Sequence, residues 1–193
     1  MEKKVRRVTF ITSNKYKVNE CKAMLEPEIL VTHKNIPYQE IQANTVEEVS
    51  LAAVKTLAEE LGEPVIIEDS GLFIDALNGF PGPYTKHVFE KIGNKGILKL
   101  LERKKQKSQR SCMYISAIGY CKPGAKPFVF VGKEKGTIAF KEQGKGGWGQ
   151  DSIFIPEGEQ KTYGELREKY DLPNIFRRNA LLKLKQFLKK QRR

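Results

Sequence analysis

A chain of 193 residues has the length of one domain and is long enough to bury a core without disulfide or zinc staples. Three scattered cysteines (Cys21, Cys112, Cys121) argue against a disulfide framework or a zinc site, and no apolar run approaches the roughly 20 residues of a membrane-spanning helix. The formal charge of +12, from 35 Lys and Arg against 23 Asp and Glu, admits polyanionic ligands, either nucleic acid or a small phosphate compound. The basic runs at Lys3-Lys4, Arg6-Arg7, Arg103 to Lys107 and Lys189 to Arg193 read as solvated faces and termini. The charged stretch Met1 to Arg7 lacks the apolar core of a signal peptide, so the cytoplasm is the expected location.

Val5 to Thr12 reads as a buried strand, followed by a helix from about Tyr16 to Leu25 with Val18, Cys21 and Leu25 on one face. Glu28 to His33 is a second expected strand. Thr45 and Glu48 have the spacing of a capping box, opening a helix that stops at Gly62. Pro64 to Glu68 reads as a short apolar strand, and Pro83 to Ile92 and Gly96 to Glu102 as helices. A basic linker, Arg103 to Arg110, is expected to separate the halves of the chain. Beyond it, Ser111 to Cys121, Phe128 to Gly132, Gly136 to Phe140 and Ser152 to Ile155 read as strands. Phe176, Ala180, Leu181, Leu184, Phe187 and Leu188 recur at helical spacing and predict a final amphipathic helix. The order of elements gives a mixed α/β sheet within a single domain, 1–193.

Four segments carry polar residues that a core does not need. Thr12, Ser13, Asn14 and Lys17 stand where a strand hands over to a helix, whose first N–H groups suit a phosphate. An ordinary helix cap with surface lysines is the competing reading. Glu68-Asp69-Ser70-Gly71 follows an apolar strand, and two adjacent carboxylates at its end are costly unless cations or donors meet them. With Glu40, Asp69 makes a hard-oxygen pair suited to Mg2+; the bland alternatives are a turn at residues 68–71 and a solvated glutamate at 40. Trp148, the only tryptophan, lies among Gly146, Gly147 and Gly149 and either stacks on a base or caps a core.

Taken in order, Ser13-Asn14 with Lys17, Glu40-Ile41-Gln42, Glu68 to Leu72, Phe80 to Tyr84, Gly147 to Phe154, and Pro156-Glu157-Gly158 with Lys161-Thr162 and Glu165 resemble the inosine triphosphate pyrophosphatase family. The resemblance spans nearly the whole chain. It implies an elongated mixed central sheet flanked by helices, two lobes with a substrate cleft between them, a homodimer and a need for magnesium. The implied reaction is hydrolysis of non-canonical purine nucleoside triphosphates (ITP, dITP, XTP) to the monophosphate and pyrophosphate. The resemblance places phosphates against Thr12 to Lys17, metal at Glu40 and Asp69, and the proton acceptor at Asp69. It places substrate contacts at Ser70, Trp148, Asp151, Lys169 and Arg177. The chain departs from the family pattern at Gln150 and Ser152, and where the family reads the base with Ser-His-Arg it has Ile175-Phe176-Arg177. Only Arg177 matches; His33 and His87 lie elsewhere. The alternatives are a catalytically altered nucleotide-binding homologue with shifted base specificity and, third, a basic nucleic-acid-binding protein.

Overall fold

The computed structural model describes residues 6–191. Expectations for Met1 to Val5, Arg192 and Arg193, including the first basic pair and the end of the basic tail, lie outside the described residues. In chain order the elements are β1 (Arg6–Ile11), α1 (Lys15–Leu25), β2 (Ile29–Lys34), α2 (Val46–Leu61), β3 (Val65–Ile74), β4 (Pro81–Gly82) and α3 (Thr85–Leu100). They continue with β5 (Ser111–Cys121), β6 (Phe128–Ile138), β7 (Phe154–Pro156), α4 (Tyr163–Leu166) and α5 (Ile175–Lys190). The strands form a sheet in the order β2-β1-β3-β5-β6-β7, with β4 paired to β3. β1 runs parallel to β2 and β3, whereas β3–β4 and β6–β7 are antiparallel, so the expected mixed sheet is present.

The chain folds as two compact units. The first comprises the described residues of Met1–Asp69, Ser116–Gly132 and Ile175–Arg193; the second is Ser70–Ile115 with Lys133–Asn174. The first unit is a sheet covered on both faces, and the period-two alternation of a strand decides what goes where. Val8 and Phe10 of β1, Ile66 of β3, and Ile118 and Tyr120 of β5 pack with Val18, Cys21 and Leu25 of α1 and Ala180, Leu181, Leu184 and Leu188 of α5. Their strand neighbours Ile11, Val65, Ile67 and Cys121 pack with Ala53, Val54, Leu57 and Ala58 of α2. Thr45 opens α2 through the expected capping box with Glu48, and the helix ends at Gly62. Gly132 of β6 allows α5 its close approach. A Cβ there would collide with the Phe176 carbonyl oxygen and the Ala180 amide.

The second unit is built around Tyr114, Phe154 and Tyr163, whose rings meet in sequence at 4.7 and 5.5 Å between centroids. Three expectations need correction. Glu68 and Asp69 are not at the end of a short strand: β3 continues through them to Ile74, and β4 pairs with Leu72 and Phe73. The separate strands expected at Phe128 to Gly132 and Gly136 to Phe140 are one strand, β6. The two helices expected after Pro83 are present as the two halves of α3, separated by a kink at Gly93, where the backbone leaves helical geometry. The basic linker is not a boundary between units, and its last residue is core: Arg110 is 2% exposed. Its guanidinium donates to the carbonyls of Leu101, at the end of α3, and of Ile138 and Ala139, at the end of β6, at 2.7–2.8 Å, so backbone carbonyls take the place of a carboxylate partner.

Candidate active site

The first four candidates sit where expected, at the join of β1 and α1. Asn14 is the N-cap of α1; its Oδ1 accepts the N–H groups of Tyr16 (2.9 Å) and Lys17 (3.3 Å). Its own N–H donates to the Thr12 hydroxyl at 3.1 Å. β2 braces the loop from the side: Thr12 donates to the Lys34 carbonyl, and His33 Nε2 donates to the Thr12 carbonyl at 2.8 Å. The cap and the expected anion site do not exclude one another. The cap uses the amide oxygen of Asn14 and leaves its NH2 as the group offered to an anion.

Beyond the carboxyl end of β1, alternation along β3 sends the two adjacent carboxylates to opposite faces. Asp69 emerges on the α2 side, where its N–H donates to Ser50 Oγ at 3.3 Å while that hydroxyl donates to the Ala117 carbonyl at 2.8 Å. Tyr38, packed on the same side, brings the metal candidates together. Its phenol is pushed up by burial, then by the nearby Glu40 carboxylate with which it hydrogen-bonds, and then by Asp69 and Glu68. Glu40 itself is exposed, on the irregular segment between β2 and α2. Among the described residues no cluster of three or more His, Cys, Asp or Glu could hold a metal ion. Two hard carboxylates still fit magnesium, which takes one or two such groups and completes its shell with phosphate oxygens and water.

Glu68 faces the other way and is 5% exposed. Its Oε2 meets Lys17 Nζ at 2.7 Å, and its Oε1 meets Ser116 Oγ at 2.7 Å and Arg177 Nε at 3.2 Å. Burial alone would raise its pKa, but Arg177, Lys17 and the two hydrogen bonds outweigh that and bring it down to about 2. The cost noted in the sequence is thus met for Glu68 by two cations and the Ser116 hydroxyl, while Ser50 engages the backbone N–H of Asp69 rather than its carboxylate.

The second unit carries the remaining candidates. Trp148 is 58% exposed, with one edge-to-face contact to Phe89 at 6.5 Å, so most of the indole is open to a ligand. Gly147 precedes it at positive φ, and a side chain there would strike the Asp151 carboxylate. Asp151 is buried: it accepts the Trp148 N–H at 3.0 Å and pairs with Arg167 at 2.7 Å, and Arg167 lies over the Tyr163 ring. The observed contacts of Asp151 therefore hold the Trp148 loop. Ser70 is half-buried in β3, and Lys169 is exposed just after α4. Arg177, expected to read a base, is 7% exposed and engages Glu68 and Glu20 instead. Phe176 is buried in the first unit. Sequence reasoning missed Tyr38, Ser50, Glu20 and Ser116; the period-two pattern of β3 would have separated Glu68 from Asp69 and sent the search for partners to both faces.

The family model described as the Ham1 family matches residues 8–187. The chain belongs to the Ham1 family. Among Ham1-family relatives, it is 48% identical over 161 residues to a dITP/XTP pyrophosphatase of Methanopyrus kandleri, covering 83% of this chain and 84% of that one. It is 44% identical over 179 residues to a dITP/XTP pyrophosphatase of Korarchaeum cryptofilum, covering 93% and 94%. Of solved structures, the Staphylococcus aureus Ham1 protein matches with a TM-score of 0.82 at 28% identity, over 97% of this chain and all of that one. A HAM1 protein from Coxiella burnetii matches with a TM-score of 0.83 at 26% identity, over 96% of this chain and all of that one.

Proposed function

We propose that this Ham1-family protein hydrolyses the non-canonical purine nucleoside triphosphates ITP, dITP and XTP to the monophosphate and pyrophosphate. The observation that carries the reading is the placement, within one compact unit, of a capped helix N-terminus with Lys17 and of two carboxylates gathered around Tyr38. The relatives' activity on dITP and XTP supports it. Water adds across the bond between the α and β phosphates, so pyrophosphate leaves with the electron pair of that bond and its charge must be met. The α1 N-terminus, Asn14 Nδ2 and Lys17 do so, with Thr12 and Ser13 shaping the loop. Glu40 and Asp69 would hold magnesium, which would supply charge neutralisation and Lewis acidity to the triphosphate. Asp69 orients the attacking water and accepts its proton; contact with a cation lowers its basicity, so orientation is the larger part of its role.

The open face of Trp148 stacks the base, Asp151 fixes its loop, and Ser70 and Lys169 contribute further substrate contacts. With Phe176 buried and Arg177 engaged, selection among bases is weaker than a site built around a histidine would give. A homodimer and a cytoplasmic location complete the proposal. No helix among the described residues is long and apolar enough to cross a membrane, and all three cysteines are free thiols. The test is pyrophosphate release from ITP, XTP, dITP, GTP and ATP with and without magnesium. The expected result is metal-dependent release fastest with ITP or XTP, abolished by Asp69→Asn in a folded protein, with a loss of about 10² to 10⁴-fold. Preference for ATP, or wild-type rates in Asp69→Asn, overturns it.

A further inference from the structure

We infer that Arg177 is a positioning residue for phosphate capture, gripping Glu68 from behind so that its other oxygen sets Lys17 at the head of α1. This rests on the proposed phosphate role of Lys17. The geometry is a closed ring within the first unit. Lys17 and Glu20 lie one turn apart on α1; Arg177, on α5, pairs with Glu20 through one nitrogen and reaches Glu68 through Nε at 3.2 Å. Glu68 closes the ring at Lys17, at 2.7 Å, and its backbone carbonyl accepts a second ammonium proton from the same lysine at 3.1 Å. The ion pair and the hydrogen bond to one and the same residue together fix where the Lys17 ammonium sits.

The ring contains two carboxylates and two cations, and its charges balance. That balance assigns the arginine. A guanidinium 7% exposed is committed to two carboxylate partners, and through Glu68 it controls how strongly that carboxylate draws on Lys17. With Arg177 removed, the buried carboxylate keeps Lys17 as its only cation and withdraws it from the anion site. Glu20 loses its arginine contact at the same time, and the ring opens at both of its α5 contacts. Arginine suits this place because its fork engages two carboxylates at once.

The test separates phosphate capture from base reading. The affinity of wild type, Arg177→Met, Arg177→Lys and Glu20→Gln for inorganic tripolyphosphate is measured by calorimetry, together with KM and kcat for ITP and ATP. The expected result is that Arg177→Met weakens tripolyphosphate binding about tenfold and raises KM for both nucleotides by the same factor, leaving the ITP to ATP ratio of kcat/KM unchanged. Arg177→Lys restores part of the binding, and Glu20→Gln shows a smaller loss in the same direction. Unchanged tripolyphosphate affinity with a collapsed ITP to ATP ratio makes Arg177 a base reader and overturns the inference. A lowered melting temperature with all other readings unchanged also overturns it. If Arg177→Met does not fold, unchanged tripolyphosphate affinity in Glu20→Gln overturns it by itself. Wild type that binds tripolyphosphate but releases no pyrophosphate from any nucleotide rejects the proposed activity while leaving the ring comparison intact.

Discussion

Individual side chains here act through pairing rather than through exposure. Glu68 is ionised in the core because Arg177 and Lys17 overcome the penalty of burial, which leaves its folded pKa, about 2, below the ordinary 4.5. The sign follows directly: a carboxylate whose pKa falls on folding contributes stability above about pH 4.5 that is lost as the pH drops toward 2. Melting temperature against pH should therefore fall over that window in wild type and less steeply in Glu68→Gln. Asp151 behaves in the opposite way: burial raises its pKa and Arg167 only partly restores it. Asp151→Ala leaves the Arg167 guanidinium without its carboxylate and frees the Trp148 N–H, with an expected loss of about 3–5 kcal/mol. Since Trp148 is the sole tryptophan, its fluorescence reports the loop directly; an unchanged spectrum and melting temperature would refute the coupling.

At the level of elements, close packing of helix on strand sets the geometry of the first unit. Gly132→Ala puts a methyl group into the α5 backbone at Phe176, one residue before Arg177. The expected cost is about 1–3 kcal/mol in denaturant unfolding, with weakened phosphate binding, because α5 must shift. Thr45→Ala removes the α2 cap and should cost about 1 kcal/mol without altering KM. Helices α1 and α2 were legible from the residues because their signals are local: Asn14 before one, Thr45 and Glu48 at the other. The continuation of β3 through Asp69-Ser70-Gly71 was not, since weak strand formers there lie within a strand whose pairing partners, β4 at Leu72 and Phe73 and β5, leave no local signal. Lys133-Glu134-Lys135 hid the continuity of β6 in the same way. In the candidate site, Lys17 was readable as a charge in the first turn of a helix and Asp69 as a carboxylate following an apolar run. The engagement of Arg177 was not, because its partner Glu20 is 157 residues away in sequence.

Over the whole molecule, the charge of +12 favours the approach of polyanions, and raising ionic strength should lower kcat/KM for nucleoside triphosphates chiefly through KM. Stopped-flow measurement between low and physiological salt checks this; a salt-independent KM would separate the charge from substrate capture. The same charge reads as solvated surface toward nucleic acid, so random duplex DNA should bind only at low salt. The chain passes between the two units at Asp69/Ser70, Ile115/Ser116, Gly132/Lys133 and Asn174/Ile175, so α5 belongs to the unit that β1 begins. During synthesis, everything from Arg6 to Asn174 leaves the ribosome before Arg177 does. Until Arg177 emerges, Glu68 lacks its guanidinium and the nascent first unit holds an incompletely neutralised carboxylate, so the proposed grip on a triphosphate waits until the whole of the second unit has been made.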